Sequence, residues 1–187
     1  MKYFDNFPVI KYKLPLDGYQ RNIIDVTKRF NPILEVMKKA TLFYDFTVKD
    51  GQTPEIVSDL FYDDMQYHWI IMMFNSVFDN NFDWPKTEDE FFSYIIENYQ
   101  TESYAKNTVK NYYHIIQKET VYFGSTIKER KNIVDLSIYN TLDAFERKIE
   151  YIWDYEFELN EKRRRIKILD QNYISKIMTE KERIFIE

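Results

Sequence analysis

The residues able to do chemistry are few and badly spaced for it. His68 and His114 stand far apart in apolar or aromatic segments, and no cysteine exists to join them in a zinc site. No His-x-x-x-His or carboxylate–histidine spacing occurs. Asp63-Asp64 and Glu88-Asp89-Glu90 offer paired carboxylates of the kind that hydrolyse glycosides. A turn explains the first pair and a helix N-terminus the second. Three glycines in total cannot build a phosphate-cradling loop. The pattern predicts no catalytic residue, no metal and no cofactor.

What remains is suited to contact. The basic run Lys162 to Lys167, with Arg163, Arg164 and Arg165 at its centre, can meet phosphates, but Glu158 and Glu161 beside it point to docking on an acidic protein. Phe78, Phe82 and Trp84 alternate with Asp79, Asn80, Asn81 and Asp83 in a turn-rich stretch. Such rings are either interface hot spots or the closure of the local core. Trp69, in the most apolar segment, reads as core. Phe4 and Phe7 lie in an apolar segment broken by Pro8 and Pro15, an extended arm rather than a helix. It either rests on a neighbour or folds back over the chain's own core. The candidate partner-binding residues are therefore Phe4, Phe7, Phe78, Phe82, Trp84, Arg163, Arg164 and Arg165.

Composition bounds the rest. The 187 residues suffice for one domain, or one domain with a small appendage. The absence of cysteine suits a reducing cytoplasm. No signal peptide or membrane-length apolar run is seen, so a soluble protein is expected. The chain is 18% aromatic, with 16 Tyr, 15 Phe and 3 Trp. That surplus reflects either extensive protein–protein contact or plain compositional bias. Residues 54–110 carry 11 acidic and 3 basic side chains, and residues 160–187 carry 5 acidic and 8 basic. The acidic middle excludes nucleic acid and anionic membrane as partners.

The elements that must position these residues centre on Leu42 to Trp84. A strand leads into Asp50-Gly51, a turn tolerant of positive φ. Thr53 as N-cap and Pro54 at the first helical position then start a helix, with Ile56, Val57, Leu60 and Phe61 on its inner face and Ser58 and Asp59 turned away. A second helix, apolar nearly all round, covers Tyr67 to Asn75, with Asn75 as a left-handed C-cap. Thr87 and Glu90 form a capping box for a helix reaching about Tyr99. Gln100 to Asn111 reads as loop, and residues 112–138 as a β-ribbon containing Tyr112–Ile116 and Thr120–Phe123. Between Thr141 and Ile149 a helix and an irregular lead-in fit equally. Tyr151, Trp153, Tyr155, Phe157 and Leu159 alternate with Ile152, Asp154, Glu156, Glu158 and Asn160, the period of a half-buried strand. This strand is expected to form a hairpin with Arg163–Leu169 and set Glu156 and Glu158 against the basic residues. A final helix buries Ile174, Ile177 and Met178.

Two resemblances rest on these residues. Val48, Asp50 to Thr53, Ile56, Tyr62, Asp64, Trp69 and Asn75 keep the order strand, Asp-Gly-Gln-Thr, helix, Tyr-x-Asp, aromatic helix, Asn, which resembles the LysM module. Ser76 to Pro85 departs from that pattern, lacking the turn and second strand that normally follow. The longer run Leu60-Phe61-Tyr62-Asp63-Asp64 through Trp69 and Asn75 to Phe82-Asp83-Trp84-Pro85, with Leu159-Asn160-Glu161-Lys162-Arg163-Arg164-Arg165-Ile166-Lys167-Ile168-Leu169, is similar to the baseplate wedge subunit of T-even-type contractile-tailed phages, the gene-product-fifty-three family. The two matches leave about residues 100 to 150 unsupported.

The pattern of elements and the resemblance together predict an α+β fold in three parts. These are an N-terminal arm and lead-in (1–41), a LysM-like βαα(β) central module with a following helix (42–99), and a β-ribbon and hairpin region with a C-terminal helix (100–187). The resemblance also implies a non-enzymatic virion protein, assembled in the host cytoplasm. Six copies per baseplate would bind neighbouring wedge-core proteins and link adjacent wedges into a six-fold ring. Taken alone, the LysM pattern implies instead a binder of peptidoglycan or other N-acetylglucosamine glycans.

Overall fold

The computed structural model describes residues 3–13, 18–28, 30 and 42–186. In chain order these form β1 (Val9–Lys13), β2 (Gln20–Ile24), β3 (Phe43–Thr47), α1 (Pro54–Tyr62), α2 (His68–Phe74), α3 (Asn80–Asp83), α4 (Glu88–Tyr99) and α5 (Glu102–Asn107). There follow β4 (Val109–Gln117), β5 (Thr120–Tyr122), β6 (Ser125–Ile127), β7 (Arg130–Val134), α6 (Leu136–Thr141), β8 (Arg147–Tyr151), α7 (Ile152–Arg163), β9 (Arg165–Leu169) and α8 (Ile174–Ile186). The fold is α+β, with small antiparallel sheets. The expected break at Asn31-Pro32 and the lead-in at Leu34, Val36 and Met37 lie outside the described residues. The chain divides into two compact units, Met1–Pro85 with Arg163–Glu187, and Lys86–Lys162.

In the first unit, β3 pairs antiparallel with β9, from Phe43 opposite Leu169 to Thr47 opposite Arg165. The α1 and α2 helices follow β3, and Val48, Val57, Trp69, Ile70, Ile71, Ile166, Ile168 and Leu169 make one core with Ile174, Ile177 and Met178 of α8. The helix starts as expected: the Thr53 hydroxyl accepts from the Ile56 N–H at 3.4 Å with Pro54 at the first position. Its buried face is turned from the one expected. Val57, Ser58 and Tyr62 are buried, whereas Ile56 and Leu60 are exposed. Ser58 tolerates burial because its hydroxyl donates to the Asp64 carbonyl at 2.6 Å.

Asn75 is not the left-handed residue. Ser76 takes that conformation (φ 56), and Ser76 and Val77 donate to the carbonyls of Met73 and Met72, closing α2 as a Schellman motif. The Asn75 side chain is thereby free to act like a strand. It accepts from the Lys167 N–H and donates to the Lys167 carbonyl, both at 2.8 Å, pinning β9 to the end of α2.

The hairpin expected at residues 151–169 does not form. Ile152–Arg163 is a helix, and β9 spends its backbone on β3 instead. Buried Ile152, Glu156 and Asn160 stand four residues apart on one helical face. Two of the three are polar, so the 3.6-residue apolar period is hidden and the alternation of rings stands out falsely. Each polar group is satisfied. Tyr99 and Tyr94 donate to the Glu156 carboxylate at 2.7 and 3.2 Å, and the Asn160 amide exchanges two bonds with the Lys86 backbone. Glu156 therefore faces tyrosines, not arginines.

The rest of the second unit is a core of Phe91, Ile95, Ala105 and Ile152 beside a three-stranded sheet, order β7-β4-β8. The Thr87–Glu90 capping box is present. Gln100–Asn111, expected as loop, contains α5 behind a Thr101 cap and the start of β4. The stretch expected as a ribbon at 112–138 is β-structure only as far as Val134, with Tyr112–Ile116 in a strand that pairs with β7 and β8 while Thr120–Tyr122 pairs with β6. The α6 helix begins at Leu136, and the Thr141–Ile149 stretch ends α6 and enters β8.

On that sheet, the Tyr113 hydroxyl and Asn111 amide both donate to the buried Glu150 carboxylate at 2.8 Å, and Lys131 lies 3.9 Å over the Tyr113 ring. Burial, then the Glu150 bond and charge, pushes the Tyr113 phenol from 10.0 up to about 12. A raised folded pKa gives stability that is whole below pH 10 and lost as the pH climbs through 12. The melting-temperature advantage of the wild type over Tyr113→Phe is accordingly expected to shrink across that window. An advantage constant with pH would refute the assignment.

Candidate protein-binding surfaces

The N-terminal segment serves two ends. Phe7 is buried and Phe4 is partly exposed, with Tyr3, Phe4 and Phe7 in mutual ring contact at 5.0–5.3 Å. Tyr3 packs at a tilt against Trp69, ring centres 5.3 Å apart. Residues 3–7 thus fold over the chain's own core. Beyond them the backbone is extended, and β1 and β2 form a ribbon, Val9 opposite Ile24 to Lys13 opposite Gln20. Every residue of both strands is exposed. Val9, Ile10, Tyr12, Ile23 and Ile24 give it an apolar surface, and the charged residues within the two strands are Lys11, Lys13 and Arg21. A lone two-stranded ribbon is marginal in water, so one this apolar suits a partner.

The aromatic turn is built by its acids. The Asp83 carboxylate accepts from the Phe78 and Asp79 N–H groups at 2.9 and 3.0 Å, and Asp79 caps α3 through the Asn81 N–H at 2.8 Å. Those backbone bonds, with the Arg163 charge, hold the Asp83 carboxyl below the usual carboxylate range. Trp84 is buried, its indole N–H donating to the Gln52 carbonyl at 2.8 Å. The three rings therefore divide their work. Trp84 anchors the turn in the core, while Phe78 and Phe82 are held 79% and 67% exposed.

The arginines also separate. Arg163 is half-buried and acts on Asp83. Arg164 pairs with Asp50 at 3.1 Å, and its carbonyl receives the Val48 N–H at 2.8 Å. Arg165 is exposed, opposite Thr47. They do not form one basic patch. The Trp69 ring lies in the core, and the His68 Nδ1 bonds the Met65 carbonyl at 2.9 Å, a local turn contact.

Phe123 is a further exposed ring. Thr120–Phe123 reads as a strand, but the ladder stops at Tyr122 opposite Ser125, which puts Phe123 at the hairpin tip. The signal for it was Phe123-Gly124 between two β-prone runs.

No described residues gather three or more His, Cys, Asp or Glu able to hold a metal, and no described helix is long and apolar enough to cross a membrane. The rings of Phe78 and Phe82 and the β1–β2 ribbon are thus exposed apolar features of the first unit. The chain belongs to the base plate wedge protein 53 family, whose model matches residues 4–184. It is a non-enzymatic structural subunit of the phage baseplate wedge, and its partners are other baseplate components. No curated protein matches it.

Proposed function

We propose that this subunit links adjacent wedges, six copies closing a six-fold baseplate. The observation that carries this reading is the presence of two chemically unlike exposed surfaces in the first unit. One is the cationic ribbon β1–β2; the other is the turn where Phe78 and Phe82 stand beside Asp79 and Asp83. A ring closed by heterologous contacts needs two different patches on each copy. An apolar ring centred in a polar surround is the usual hot-spot arrangement.

The order β3, α1, α2 and then β9 supports a LysM-like scaffold whose second strand comes from the far end of the chain. That arrangement keeps the glycan reading as the rival. The test uses the full chain carrying Phe78→Ser and Phe82→Ser, mixed with wedges assembled from the remaining baseplate proteins. Wedges should still take up the variant but fail to close into rings in electron micrographs. Normal ring closure would overturn the link, as would sedimentation of the wild type with insoluble peptidoglycan but not with wedges.

A further inference from the structure

The β5–β6 hairpin carries a bulky residue where its backbone is least welcome. With Tyr122 opposite Ser125, the loop is Phe123-Gly124, and both residues have positive φ, 47 and 77. That is a type I′ turn, which favours Asn-Gly. A side chain other than Gly or Asn held there costs about 1–2 kcal/mol. Among the described residues only a contact with another exposed ring offsets this. The Phe123 ring is 91% exposed, meeting Tyr122 edge-on at 4.6 Å, and Tyr122 and Val121 are themselves 65% and 68% exposed. A strained residue whose ring contact is with an equally exposed neighbour is expected to act on another molecule.

The charges around the tip describe that molecule. Lys118, Lys128 and Arg130 are exposed on the stem. Glu119 is exposed as well, whereas Glu129 is half-buried and faces Lys148 at 3.7 Å. The finger is apolar at the tip with a cationic stem. We propose that the β5–β6 hairpin is a plug, with Phe123, Tyr122 and Val121 entering an apolar pocket with an acidic rim on another baseplate protein. The inference needs membership of the baseplate but not the bridging of wedges proposed above.

The test measures affinity of the full chain for single immobilised wedges prepared without it. In Phe123→Asn the backbone strain is relieved, so the melting temperature should hold or rise while affinity falls roughly thirtyfold. Reversing the stem, with Lys118→Glu and Lys128→Glu, should slow association and weaken its dependence on salt. Undiminished affinity of Phe123→Asn overturns the plug. So does a loss of affinity that tracks a lower melting temperature, which would make Phe123 structural. A Phe123-dependent dimer of the isolated chain would also overturn it, the occupant then being a second copy. Ring closure is not read in this assay, so Phe78→Ser with Phe82→Ser should bind single wedges normally, and the two ideas fail separately.

Discussion

Trp69→Ala is expected to destabilise the first unit by about 3–5 kcal/mol in urea unfolding, because it empties the place where four segments meet. The ring is buried on α2. Tyr3 lies at 5.3 Å, Phe30 at 6.2 Å and the Lys181 ammonium at 5.5 Å. Truncation removes the contact surface of the N-terminal segment, of Phe30 and of α8 together, and no single neighbour can collapse to fill it. Against a domain stability of about 5–15 kcal/mol, the loss leaves the unit close to unfolding. Trp69→Phe separates the two parts of the indole. Its Nε1 finds no acceptor among the described residues. Phenylalanine deletes that buried donor while keeping much of the volume, so a cost of only about 1–2 kcal/mol is expected. Equal damage from Phe and Ala would mean that the N–H has a role this geometry does not give it.

Lys181 is the second site of large effect. It is fully buried on α8, and its ammonium donates to the Tyr3 carbonyl at 3.0 Å. One turn contact beside it, Asn6 to Glu182 at 3.2 Å, joins the same two segments. The long side chain thus holds the beginning of the chain against its end. Lys181→Ala should cost about 3 kcal/mol, from the void and from the Tyr3 carbonyl left without its donor. Lys181→Met, which keeps the stem, should cost less. Limited proteolysis should cut both variants near Phe4 and Phe7 sooner than the wild type. Burial lowers the Lys181 pKa below 10.5, against the opposing charges of Asp5 and Glu182. A depressed folded pKa contributes stability that is present above 10.5 and lost as the pH falls through the folded value. The advantage of the wild type over Lys181→Met is therefore expected to widen on raising the pH toward 10.5. An advantage that narrows would reverse the reading of this site.

These predictions rest on placements that the sequence shows unevenly. Local signals were legible where cap chemistry and periodicity agreed. Thr53-Pro54 started α1, Thr87 and Glu90 started α4, and the apolar α2 was buried. They failed where a polar side chain did the work of an apolar one. Ser58 rotated the inner face of α1, and Glu156 with Asn160 disguised α7 as a strand. Pairing between distant segments was also invisible. Nothing near Phe43–Thr47 names Arg165–Leu169 as its partner, and β9 shows the same alternation whichever strand it meets. Among the candidate site residues, Phe4, Phe78, Phe82 and Arg165 are exposed. Phe7 and Trp84 are buried and Arg164 is tied to Asp50, since their environment depends on those distant contacts. The exposure of Phe123 follows from one turn geometry, at which Phe123-Gly124 between two β-prone runs only hints.

In sequence, Lys86–Lys162 interrupts the two segments of the first unit, which has a consequence on the ribosome. A nascent chain presents Phe43–Thr47 early, yet Arg165–Leu169 leaves the exit tunnel only after everything between has been translated. The intervening stretch, continuous in sequence, is able to settle first, while the earlier strand waits with a bare edge open to foreign pairing. Translation that stops short of Arg165 consequently releases an adhesive fragment in place of a smaller working subunit.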